Sequence, residues 1–275
     1  DIKEINTVRK HLSKIKGGNL LKMSFPAKVH SFILSDVIGD DLSSISSGPT
    51  VPDETSFIDV KKILRKYKLW NDIHDSIKAH IELGIKDKSL ETPDKTNKVF
   101  LNAENTLIGS NNLCLKSINY LCKKKDINSK IWKTNIEGDV QVIAKNFVRD
   151  LKKKNYKKPM ILISGGESTV KIKGKGKGGR NQEFALHFIK NIRKSLSNLK
   201  FTLLSAGTDG RDGPTNAAGA IVNDKSLDLI ENKNINLNKE LENNNSYQVL
   251  KKINSLVIIN GTNTNVADIQ LLMIN

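Results

Sequence analysis

Four short apolar runs break off abruptly into polar loops, and this repeated junction constrains the fold more than any other feature. Val29–Leu34 leads into Ser35-Asp36-Val37-Ile38-Gly39-Asp40-Asp41. Residues 160–163 lead into Ser164-Gly165-Gly166-Glu167. Residues 201–204 lead into Ser205-Ala206-Gly207-Thr208-Asp209-Gly210-Arg211-Asp212, and residues 256–259 into Asn260-Gly261-Thr262-Asn263-Thr264-Asn265. Such short apolar runs have strand length. Between them lie segments of helical spacing, clearest in residues 139–151, where Val140, Ile143, Phe147, Val148 and Leu151 share a face. Alternation of this kind predicts an α/β fold with mainly parallel sheets. In such sheets ligands gather at the carboxyl ends of the strands.

Residues 161–183 carry the densest chemistry. Gly174, Gly176, Gly178 and Gly179 stand just before Arg180 and an amphipathic helix with Ala185, Phe188, Ile189, Ile192 and Leu196 on one face. Glycine allows close backbone approach to a ligand, and a helix start offers unpaired N–H groups to an anion. Lys173, Lys175, Lys177 and Arg180 add positive charge. The acidic loops around Asp36 and Asp209 supply the complement. Cations with N–H groups hold phosphates, and carboxylates hold Mg²⁺ or accept a hydroxyl proton, so the set suits phosphoryl transfer.

Other chemistries fit less well. GxxxxGK[ST] is absent, which argues against a P-loop kinase. Gly174, Gly176 and Gly179 satisfy GxGxxG, but the first strand-end acid, Asp209, lies 35 residues after Gly174 rather than about 20. A nicotinamide site therefore ranks second. Neither a GxSxG elbow nor an HExxH cluster occurs. Cys114 and Cys122 read as buried free thiols. The net charge of +16 comes mostly from dispersed lysines, with only 5% aromatic residues, so a solvated basic surface is expected rather than a nucleic-acid groove. Neither a membrane span nor a signal peptide is expected, which leads to a cytoplasmic assignment. The chain starts at Asp1 without a methionine and is expected to begin inside a longer one.

Residues 5–20, 33–53, 162–186 and 204–220 together resemble the glycerate 2-kinase family, whose members end in a MOFRL domain. The resemblance implies two α/β domains with the active site in the cleft between them. Residues 1–155 would form the later part of the first domain, itself truncated, and 156–275 the MOFRL domain. It implies transfer of phosphate from ATP, with Mg²⁺, to the 2-hydroxyl of D-glycerate. A catalytic lysine in a Gly-Lys motif would lie upstream. The loop 260–265 departs from the Gly-Pro-Thr-Gly-Thr-Asn turn of the family. On this reading Asp36 and Arg180 are catalytic. Ser47, Thr50, Arg180, Asn181 and Glu183 bind substrate. Gly165, Gly166, Glu167, Gly178, Gly179, Thr208, Asp209 and Gly210 bind the nucleotide, and Asp209 also holds Mg²⁺. A hydroxypyruvate reductase using NAD(P)H is the alternative, with an inactive ligand-binding fragment as a third. The oligomeric state stays open, a homodimer among the options.

Overall fold

The computed structural model describes residues 2–154 and 156–275. The chain divides into two compact units, 1–108 and 109–275. The boundary expected at 155/156 falls within the second unit, residue 155 itself lying outside the described residues. Strand pairing sets this division, because a strand before residue 155 pairs with one after it.

The first unit contains α1 (Ile2–His11), α2 (Asn19–Ser24), β1 (Val29–Leu34), α3 (Phe57–Lys66), α4 (Asp75–Lys86) and β2 (Ala103–Gly109). Its small core is Phe57, Val60, Leu64 and Ile81, with Val8, Trp70 and Ile77 against it. The apolar residues of α1 recur at helical spacing, but apart from Val8 they do not face the core. Ile5 and Leu12 are exposed, while Asn6, Thr7, Lys10 and His11 are buried. Each buried polar group has a partner: Lys10 Nζ lies 3.1 Å from Asp53, and Asn6 accepts a hydrogen bond from Ser47 Oγ at 2.9 Å. Buried polar and charged groups are tolerated when paired in this way. Strands β1 and β2 form a two-stranded sheet, and Phe32 and Ile108 stand well exposed on it. Gly84 of α4 packs on Phe57, whose ring a Cβ would approach to 2.3 Å. Gly84→Ala is therefore expected to destabilise by about 1–2 kcal/mol in urea unfolding, overpacking outweighing the gain in helix propensity.

The second unit begins with α5 (Asn111–Lys124), β3 (Ser129–Asp139), α6 (Val140–Lys153), β4 (Met160–Thr169), α7 (Arg180–Ser195) and β5 (Phe201–Gly207). It continues with β6 (Gly219–Asn223), α8 (Ser226–Asn232), α9 (Leu237–Glu242), α10 (Ser246–Lys252), β7 (Leu256–Val257) and β8 (Asp268–Ile274). The six strands form one sheet in the order β3-β4-β8-β5-β6-β7. The α/β class holds, but the pairing is mixed rather than mainly parallel. Only β3–β4 is parallel; β8 inserts antiparallel between β4 and β5, and β6 and β7 continue antiparallel. Strands β4 and β5 still run in the same direction, as a strand–helix–strand unit requires, with the C-terminal strand threaded between them. Helices α6 and α7 bury Val140, Phe147, Phe184 and Phe188 against Leu162 and Leu203 of the sheet.

His187 of α7 is 7% exposed, and burial together with nearby Lys190 lowers its pKa to about 4. The unfolded chain therefore takes up this proton near pH 6.5, while the folded chain resists until about 4. The His187 contribution to stability is complete above pH 6.5 and declines as pH falls to 4, by about 3 kcal/mol. The buried carboxyl of Asp268 has a raised pKa and opposes this trend, so the measurement is the difference between wild type and His187→Gln in urea unfolding across that range. Parallel curves would exclude the effect.

Candidate functional site

The expected loop 164–167 is not a loop. Strand β4 runs on through Thr169, with β3 on one side and β8 on the other. Gly165 and Gly166 are buried within it, and a Cβ on Gly165 would lie 2.3 Å from Asn111 Oδ1. Gly166, at φ +149°, lies against the Ile136 backbone, where a Cβ would come within 2.2 Å of the amide nitrogen. Close packing accounts for both glycines, and neither lines the cavity described below.

The glycine strap 174–179 also differs from expectation. The N–H groups of residues 173–177 do not point at an open anion site. Those of Lys173 and Gly174 donate to Asn244 Oδ1, those of Lys175 and Lys177 to the side chains of Asn243 and Asn245, and that of Gly176 to the Asn243 carbonyl. The segment 243–245 carries no chemical signal in the sequence, and only the fold shows its role. The start of α7 is filled as well. Asp212 accepts N–H bonds from Asn181 at 3.0 Å and Gln182 at 2.9 Å, and a third from Gln182 Nε2 at 3.0 Å. A carboxylate at a helix N-terminus satisfies orphan donors and meets the positive end of the helix dipole. The protein supplies its own anion where a phosphate is expected.

Arg180, the first residue of α7, is gripped on two sides. Its Nε and Nη2 donate to the two oxygens of Asp268 at 2.7 and 3.0 Å, and its Nη1 donates to Glu167. The Asp268 side chain is 1% exposed, that of Arg180 32%. Burial works against the guanidinium charge, but Asp268 and then Glu167 more than reverse this and raise its pKa. Burial likewise pushes Asp268 up to about 6 against the pull of Arg180, so both groups are charged at pH 7. Asp268 opens β8, opposite Gly166 of β4 and Gly207 of β5. It stands near the carboxyl ends of both strands, where α/β ligands bind.

Beside Arg180 lies a cavity of about 660 Å³, lined among others by Gly178, Gly179, Arg180, Asp209, Arg211 and Asp212. Four expected site residues, Gly178, Gly179, Arg180 and Asp209, meet here, and Glu183 borders it. Arg211 is an exposed cation on the cavity that sequence reasoning passed over. Asp209 holds its turn by accepting the Arg211 N–H at 2.9 Å. Among the described residues no group of three His, Cys, Asp or Glu side chains is placed to bind a metal. One carboxylate fits Mg²⁺ when nucleotide phosphates and water supply the other ligands.

Most of the remaining expected residues have hydrogen-bond partners within the fold. Asn181 accepts from Ser205 Oγ at 2.7 Å, and Glu183 accepts from Asn244 Nδ2 at 2.9 Å, with burial raising its pKa. Thr208 Oγ1 donates to Ala267 O at 2.7 Å, and Gly210 turns at φ +86°. In the first unit the hydroxyls of Ser47 and Thr50 are already engaged, with Asn6 at 2.9 Å and Asn105 at 2.6 Å. Asp36 is exposed just after β1. No helix among the described residues is long and apolar enough to cross a membrane.

Residues 160–268 match the MOFRL family, and residues 1–82 match a domain of unknown function, DUF4147. A glycerate 2-kinase of Pyrococcus horikoshii is 39% identical over 99% of this chain and 62% of its own length. The chain belongs to the glycerate 2-kinase family. A D-glycerate 2-kinase of Thermotoga maritima is 40% identical over 98% of the chain and 62% of its own length. A solved structure of glycerate kinase from the same organism superposes with a TM-score of 0.88 at 38% identity, over 100% of this chain and 64% of that one. The chain thus spans somewhat less than two thirds of the length of these relatives.

Proposed function

We propose that this chain contributes to an ATP-dependent kinase that phosphorylates the 2-hydroxyl of D-glycerate, giving 2-phosphoglycerate and ADP. Family membership supports the reaction class. The single structural observation that supports the reading is the Arg180 fork, charged and fixed by Asp268 beside a cavity shared with Asp209 and Arg211. In the proposed reaction the glycerate hydroxyl oxygen bonds to the γ-phosphorus, the bond to the β-phosphate oxygen breaks, and ADP leaves. Asp36 takes the hydroxyl proton. The guanidinium N–H groups of Arg180 that Asp268 and Glu167 do not use bind the glycerate carboxylate or the transferring phosphoryl group. Asp209 would hold Mg²⁺, which would supply charge neutralisation on the nucleotide phosphates. Gly178 and Gly179 let the backbone lie close to the nucleotide.

The reductase alternative is weaker on geometry. A dinucleotide pyrophosphate needs the N–H groups of the GxGxxG turn and of the helix start. Here the Asn243–Asn245 segment already engages the N–H groups of residues 173–177, and Asp212 those of Asn181 and Gln182. A coupled assay on the protein at full length tests both readings. ADP formation should depend on both D-glycerate and Mg²⁺, with no NAD(P)H oxidation on hydroxypyruvate. The reverse pattern would overturn the kinase reading.

A further inference from the structure

A second cavity, of about 360 Å³, lies on another side of α7, separated from the first by Glu183 and Asn244, which border both. Its lining includes His187, Lys190 and Lys194 from α7 and Lys171 and Lys173 from the segment just before the strap. Among the described residues none of these four lysines is in a salt bridge, and the His187 ring, in a residue 7% exposed, has no hydrogen-bond partner. Three acids face the same space, two of them engaged elsewhere. Asp139 caps α6 through the N–H groups of Gln141 at 2.9 Å and Val142 at 3.4 Å, and Glu183 accepts from Asn244. Glu242 of α9 is exposed at the rim.

We propose that this cavity is a second binding site, for a small phosphate-bearing anion, with His187 and the four lysines as donors. Its volume lies within the ordinary range for small-molecule sites, about 300–1,000 Å³. Ammonium groups are compact, rotatable donors that suit a tetrahedral anion approached from several sides. The buried imidazole supplies the directed bond that mobile lysines lack. An anion placed here favours the imidazolium, so binding and protonation of His187 strengthen one another. The inference uses only this cavity and stands whether or not the kinase reading holds.

The test is proton NMR of the histidine ring signals during titration with inorganic phosphate, with His187→Gln assigning the resonance and chloride at matched ionic strength as comparison. The His187 signal should shift saturably with phosphate and not with chloride, and its pKa should rise by about one unit or more, a tenfold coupling. Lys190→Met with Lys194→Met should weaken the half-saturating phosphate concentration by about tenfold while the ring signals of the other histidines stay in place. No phosphate-specific shift, or a shift unchanged in the double lysine variant, would overturn the site. Neither result depends on turnover, so failure of this site and failure of the kinase reading are separable.

Discussion

Arg180→Ala is expected to destabilise the second unit by about 3–5 kcal/mol while it abolishes most phosphoryl transfer. The side chain is not a free catalytic arm. It neutralises Asp268, whose carboxylate is 1% exposed, through two hydrogen bonds of 2.7 and 3.0 Å. Removing the guanidinium leaves that charge buried and unpaired, or protonated at a cost. Loss of activity in the single variant would therefore mix a lost ligand contact with a damaged fold. The double variant Arg180→Ala/Asp268→Asn separates them, because an amide needs no counter-charge. It should recover most of the lost stability in urea unfolding, while ADP formation stays down by about 10²-fold or more. Near-normal turnover in the double variant would sink the role of Arg180. Asp268→Asn alone should keep Arg180 charged but loosen its two-point fixation, lowering kcat more than it raises KM.

Asp212→Ala should cost about 3 kcal/mol in the same experiment. The residue is 2% exposed, and its two oxygens receive the N–H groups of Asn181 and Gln182 and the Gln182 amide. A lost N-cap accounts for about 1–2 kcal/mol, and the donors left buried and unpaired account for the remainder. Asp212→Asn should fall between, since its NH₂ must face one of the backbone donors. A melting midpoint of Asp212→Ala indistinguishable from wild type would mean that α7 is held by packing alone.

Much of the fold could be read directly. Helix α6 buries the predicted face because its apolar spacing survives any tertiary arrangement that offers a core. Helix α1 shows the limit of that logic. Ile5 and Leu12 of its apolar stripe are exposed, while Lys10 and His11 find partners in the buried Asp53 and the half-buried Glu91, 43 and 80 residues away. No local pattern encodes a partner that distant. The end of β4 was obscured for a related reason: Gly165 and Gly166 look like a turn in sequence, but adjacent Asn111 and Ile136 need their missing side chains.

The sequence by itself determined the class of fold and the family, and it singled out Arg180 and Asp209 as candidates, because strand-end loops of unusual composition are local signals. Only the tertiary structure decided what holds Arg180 and what fills the start of α7. Asp268 lies 88 residues beyond Arg180, and Asp212 lies 31 beyond Asn181. Both arrive through the antiparallel return of β8 between β4 and β5 and the turn after β5. Helix termini and buried cations must be satisfied by some group, but the chain's topology, rather than its local spacing, selects which one.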